Sequence, residues 1–132
     1  MASSYSTDLK LELMVTGENA GTWGDKTNTN LNLVQQAVAG YQSIDVAASD
    51  VALVMTDGTI SNARNAVIKL TGTLAANRTV TCPNTIEKLY TVIDGTNHAG
   101  YTLTFKTASG TGALLCEGNT YCLFTDGTNI TK

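Results

Sequence analysis

Apolar and polar residues alternate between Thr7 and Val15: Leu9, Leu11, Leu13 and Val15 stand against Asp8, Lys10 and Glu12. A period of two predicts a strand or an extended arm that can lie on a neighbour. The period changes after Thr27. Leu31, Val34 and Val38 recur at three and four residues, predicting a helix over Asn28 to Ala39 with one apolar stripe. Thr27, Asn28 or Thr29 can supply its N-terminal capping oxygen, and Gly40 can end it in the left-handed conformation. About three turns of helix are not stable alone, so this one has to pack on the rest of the chain or on another subunit.

From Tyr41 onward the pattern is strand and turn. Strands are expected over 43–47, 51–56, 66–71, 79–82, 88–94, 101–107, 113–116, 121–125 and 129–131, with Tyr101, Leu103 and Phe105 giving the clearest alternation. Exposed threonines suit such strands because a branched β-carbon fits the pleat. The expected fold is mainly β: a short antiparallel sandwich or jelly-roll-like domain, 43–132, preceded by an N-terminal arm, a glycine loop and one short helix, 1–42. Asp-Gly-Thr occurs at Asp57, Asp94 and Asp126, each time after a strand. Asp bonds nearby backbone and Gly takes positive φ, so all three read as turns. Their unequal spacing argues for shared turn chemistry rather than a solenoid repeat.

The 132 residues are 42% hydrophobic and 14% charged, enough for one real core and too apolar for global disorder. Net charge is −3 and the eight Lys and Arg are scattered. Nucleic-acid binding needs clustered cations to release counterions, and anionic membranes make a similar demand, so neither is an expected partner. No basic, apolar leader begins the chain and no run spans a bilayer, so no membrane insertion is expected. The three cysteines, Cys82, Cys116 and Cys122, predict a reduced chain. Cys116 and Cys122 flank a turn and could approach one another, but they read better as small buried hydrophobes.

Candidate chemistry is sparse. His98, the only histidine, sits in a Gly/Asn loop that gives a catalytic triad little support. One histidine and three scattered cysteines make no zinc pattern, and no D-x-D-x-D-G loop is present for calcium. The carboxylates are explained by turns rather than as a glycosidase pair. Gly17 to Gly21 lacks the Lys-Ser/Thr pair of a phosphate loop. The expectation is no enzyme, no cofactor and no metal.

The densest signal is Thr16 to Asn32, TGENAGTWGDKTNTNLN, which sets the only tryptophan, Trp23, among Gly17, Gly21 and Gly24. Trp23 has two readings: a core residue seating the arm on its own domain, or an anchor buried at a subunit interface, where Trp is enriched. The glycines let backbone approach a partner closely.

This segment resembles the N-terminal segment of many bacteriophage tail-fibre and related virion proteins, whose pattern is G-x-N-x-G-T-W-G followed by asparagines and a short helix. Gly17, Asn19, Gly21, Thr22, Trp23 and Gly24 match the core, Asn28, Asn30 and Asn32 match the asparagine run, and Leu33 to Ala39 matches the helix. The stretches Arg78–Pro83, Tyr101–Gly112 and Phe124–Ile130 are similar, more loosely, to β modules of such proteins, especially of marine phages. The resemblance implies a structural virion protein, assembled in the host cytoplasm, that forms a homo-oligomer (most often a trimer) and meets other virion proteins through its N-terminal segment. Leu9, Leu11 and Leu13 would join the matching Gly17, Asn19, Gly21, Thr22, Trp23, Gly24, Asn28 and Asn30 in that docking. Tail fibres continue into a shaft and tip whereas this sequence stops at Lys132, which leaves a tail-fibre base, tail adaptor or short spike beside a capsid decoration or cement protein. A free carbohydrate-binding β module is the remaining class. A host-surface glycan could be met through Tyr90, Tyr101 and Tyr121, residues equally suited to core or interface.

Overall fold

The computed structural model describes residues 3–17 and 19–132. It is mainly β with one α-helix. The chain opens with a two-stranded ribbon, β1 (Ser4–Tyr5) and β2 (Glu12–Leu13), and then the helix α1 (Trp23–Ala39). The strands that follow are β3 (Tyr41–Asp45), β4 (Val51–Ala52), β5 (Val67–Thr73), β6 (Arg78–Cys82), β7 (Glu87–Asn97), β8 (Leu103–Thr107), β9 (Gly112–Leu115), β10 (Thr120–Asp126) and β11 (Ile130–Thr131). A single 3-10 turn, Asn62–Arg64, lies between β4 and β5.

Each of the nine segments that alternate in sequence forms a strand, but they do not pair as an antiparallel sandwich or jelly roll. One sheet has the order β11-β10-β7-β5-β3 and the other β4-β6-β8-β9. Successive strands from β3 to β8 fall alternately in the two sheets, so same-sheet neighbours are two strands apart in sequence. Each crossing returns the chain in the same direction, which makes β3, β5 and β7 parallel and likewise β4, β6 and β8. The chain therefore coils, laying one strand in each sheet per turn. Tyr41 lies beside Val67 and Val67 beside Thr91, an advance of 26 residues (41 to 67) and then 24 (67 to 91). The Asp-Gly-Thr copies at Asp57, Asp94 and Asp126 do not follow this advance. Antiparallel β9, β10 and β11 close its far end.

The core fills the space between the sheets. Ile68, Leu70, Tyr90, Val92 and Leu123 point in from one side, and Val80, Cys82, Leu103, Phe105 and Leu115 from the other. Tyr90 and Phe105 meet edge to face at 5.5 Å across the middle. In β7 the inward positions are Lys88, Tyr90, Val92, Asp94 and Thr96. The Lys88 ammonium lies 4.1 Å from the centre of the Tyr90 ring and donates to the carbonyls of Asn65 (2.8 Å) and Leu89 (3.1 Å). Burial pulls it down to about 8 and pushes the Cys82 thiol up to about 11. The Tyr90 phenol, buried with no hydrogen-bond partner among the described residues, is raised for the same reason.

Asp57 sits in a turn, and Asp126 ends β10 and opens one. Asp126 accepts the N–H groups of Thr128 and Asn129, both at 2.8 Å, and those bonds hold its carboxyl below the ordinary range. Asp94 does not: Asp94-Gly95-Thr96 runs inside β7. Cys82 is buried as expected, whereas Cys116 and Cys122 are exposed and unbridged.

Candidate docking surface

The N-terminal segment does not form the expected extended strand. Lys10 has φ 56°, a corner that breaks the alternation of Leu9, Leu11 and Leu13, and the chain doubles back so that Tyr5 pairs with Glu12. Leu9 and Leu11 are half-buried and Leu13 is exposed. The arm is tied to its own domain. The Arg64 guanidinium, fully buried, donates from Nε to the Leu9 carbonyl at 2.8 Å. Its other nitrogens reach the carbonyls of Thr56 (2.6 Å) and Thr59 and the Ser61 hydroxyl. Burial lowers the guanidinium below its ordinary value, with Asp57 opposing. The Lys10 carbonyl accepts Gly58 N–H at 2.8 Å, and Asp8 accepts Glu87 N–H at 2.8 Å. Arg64 was not legible as the anchor, because a lone Arg among Ser, Asn and Ala reads as surface.

Next comes the glycine loop. Gly17 (φ 86°), Asn19 (φ 59°) and Gly21 (φ 81°) each take the left-handed region, which explains two glycines and an asparagine there. These corners lead to Thr22, whose N–H is bound by the Asn19 carbonyl at 2.8 Å. The helix starts at Trp23, earlier than predicted, and spans 17 residues, about five turns. Thr22 stands at its N-cap without a side-chain capping bond, in place of the expected Thr27, Asn28 or Thr29, and Asp25 favours the positive helix end. Gly40 ends the helix in an extended conformation rather than a left-handed one. It is glycine because a Cβ there would collide with the Gln36 carbonyl and lie 2.7 Å from Asn65 Oδ1.

The seating of the helix is the main departure from expectation. Its side against the domain is largely polar. Asn30 clips β2 with a pair of bonds, Nδ2 to the Glu12 carbonyl (2.9 Å) and Oδ1 from Glu12 N–H (3.0 Å). Gln36 Nε2 donates to the Ser61 carbonyl (2.9 Å) and to Asn65 Oδ1 (3.3 Å), and Lys26 lies 3.5 Å from the Glu12 carboxylate. Leu33 is the one helix residue fully buried. The predicted stripe faces solvent instead: Leu31 is 61% exposed, Val38 75% and Val34 37%. Trp23 is 65% exposed and so not a core residue of this chain. At 3.6 residues per turn Trp23, Thr27, Leu31, Val34 and Val38 fall within roughly 80° of one another. Gly24 and Asn28 are exposed as well, with open space around Gly24. Of the residues expected to dock, then, Trp23, Gly24, Asn28 and Leu13 are free on the surface. Leu9, Leu11 and Asn30 serve the chain's own packing, and Asn19 and Gly21 shape the loop.

The remaining candidates stay apart. His98 Nε2 lies 2.7 Å from Asp94 Oδ2, and Asp94, fully buried, also accepts the Thr96 hydroxyl at 2.6 Å. His98 N–H donates to the Glu117 carboxylate. These bonds fasten the loop after β7 to the turn before β10, and among the described residues no Ser or Cys side chain hydrogen-bonds to the imidazole. Tyr90 is in the core, Tyr101 is exposed, and Tyr121 accepts Cys116 N–H at 2.8 Å beside Lys132, so the three tyrosines form no common face. Among the described residues no group of three or more His, Cys, Asp or Glu is placed to share a metal ion, and no helix is long and apolar enough to cross a membrane. Compared with known proteins, the chain matches no family model, and no curated protein and no solved structure is significantly similar to it.

Proposed function

We propose that this chain is a non-enzymatic structural component of a phage virion, a tail-fibre-like or tail-adaptor protein that docks through its N-terminal segment and works as a homo-oligomer. The observation that carries this reading is the exposed apolar side of α1, headed by Trp23, on a module whose polar side is already fastened to the coil. An apolar surface of this kind, set beside a β coil with its own complete core, marks a protein interaction site. The G-x-N-x-G-T-W-G resemblance supplies the kind of partner. Host glycan contact, if part of the role, falls to Tyr101 or Tyr121, since Tyr90 is buried.

A capsid decoration protein is the second reading. It is favoured by β9 to β11, whose antiparallel pairing departs from the parallel coil that a repeating shaft would continue. Antibody labelling of intact particles under the electron microscope separates the two. Label at the tail is the expected result, and label spread over the head selects the decoration reading. Well-preserved particles that carry no label, with the epitope shown to be accessible, remove the virion assignment.

A further inference from the structure

Three features of one end of the molecule converge. The arc of Trp23, Leu31, Val34 and Val38 lies open on α1. The helix runs directly into β3, which is an edge of its sheet. Since the Gly40 carbonyl accepts from Val67 N–H and Val46 N–H donates to the Thr71 carbonyl, the strand's alternation turns the backbone groups of Tyr41, Ser43 and Asp45 outward, without a partner among the described residues. Tyr41, 56% exposed, begins β3 and lines, with Gln35 and Ala39 on the flank of α1 beyond the arc, an open groove of about 320 Å³ that runs between α1 and Ile60. No charged residue occurs from Thr27 to Ile44, and β3 carries none of the lysine or proline that usually guards an exposed edge.

We infer that the α1 arc and the β3 edge together form a homotypic interface, and that its occupant is the same surface of a second copy of this chain. This rests on the assembly reading above and assigns its exposed α1 surface to the contact between copies. The chain's own arm is not the occupant. It is bound through Asn30 and Lys26 on the neighbouring side of the helix and through Arg64 at its far end. A partner of complementary charge finds only Asp45, at the end of β3, to read, whereas a second copy meets a face that is otherwise uncharged from Thr27 to Ile44. Closed symmetry also covers both exposed edges at once. The area is of the right order. Aromatic side chains carry ~150–250 Å² each, so Trp23 and Tyr41 alone leave roughly 200 Å² or more uncovered. With the aliphatic arc and its Asn and Gln flanks, the face approaches the ~800 Å² per partner of a stable interface.

The test is sedimentation equilibrium of the purified full-length chain beside two variants. Leu31→Glu/Val38→Glu puts two charges on the arc at exposed positions, and Leu114→Glu puts one on the exposed face of β9, at the opposite end of the coil. Far-UV circular dichroism and the melting temperature verify that each is folded. The wild type is expected to self-associate. The double variant should lose about 100-fold or more in association constant, and Leu114→Glu should stay within about 2-fold. A wild type that remains monomeric at every concentration overturns the inference, as does a folded double variant that associates like the wild type. A chain that self-associates through the arc yet labels no particle breaks the virion reading and leaves this one standing. A monomeric chain found on particles does the reverse.

Discussion

The coil and the helix bury opposite kinds of surface. Between the two sheets, Phe105, Tyr90, Leu70 and Leu103 are sealed from water and the polar positions of the strands mostly face out. On α1 the arrangement is inverted: amides and a lysine hold the helix down while Leu31, Val34 and Val38 look outward. Hydrophobic burial scales with apolar area removed from water, so the coil is stabilised from within and the helix gains little from its own domain. A helix seated by hydrogen bonds gains position rather than stability, and its apolar side is left for another surface.

The contrast breaks first in the core. Phe105→Ala removes one of the largest fully buried side chains and its partner ring contact, and should cost about 4 kcal/mol in denaturant unfolding. Val38→Ala, measured on the monomer, should stay within about 0.5 kcal/mol. Equal losses at the two sites would mean that the arc is covered within the chain. Arg64→Met comes next. It strips the carbonyls of Leu9, Thr56 and Thr59 of their donor and should cost about 3 kcal/mol, and limited proteolysis should cut the arm before the coil. Simultaneous cleavage of arm and coil would show that the two are one cooperative unit.

The smallest effect is a pH dependence confined to the core. Lys88 titrates near 8 when folded and near 10.5 when unfolded, so between those values the unfolded chain holds a proton that the folded chain has released. Stability from this group is lowest below about 8 and rises with pH across that window. Cys82, held near 11 against an ordinary 9, acts oppositely: the folded chain keeps its proton longer, and stability falls from 9 upward. Tyr90, also raised, adds to that fall above its ordinary 10. The melting temperature should therefore climb between about pH 8 and 9 and drop above 10. Lys88→Met should abolish the climb alone, and a wild type that is flat from pH 8 to 9 would refute the account.

The strands were legible because alternation is a local property: Leu103-Thr104-Phe105 reads as a strand wherever it pairs. Their pairing was not. Which strand becomes a neighbour depends on the chain crossing to the opposite sheet between partners, and turns of unequal length leave no period to find. The helix shows the same division. Its spacing correctly placed Leu31, Val34 and Val38 on one side, but spacing cannot say whether that side faces the domain or the solvent. The neutrality of Thr27 to Ile44 was the signal that could have indicated the second. Asp94 misled for a related reason, since Asp-Gly-Thr has good turn chemistry and only burial beside His98 shows it continuing a strand. In β7 both faces carry apolar residues, with Leu89 and Ile93 on one and Tyr90 and Val92 on the other, so Lys88 gave no hint that it pointed inward.

The position of β7 also constrains the order of folding. It is the middle strand of the larger sheet, with β5 on one side and β10 on the other, and it pairs with each over seven residues. During synthesis the first coils can leave the ribosome, yet the central strand keeps one flank unpaired until residues through Asp126 have been made. Parallel, long-range pairing is slow to form. The nascent chain therefore passes through an interval in which the outward α1 arc and the bare flank of β7 are presented together, and the time to complete β10 sets how long premature association between neighbouring nascent chains can compete with folding.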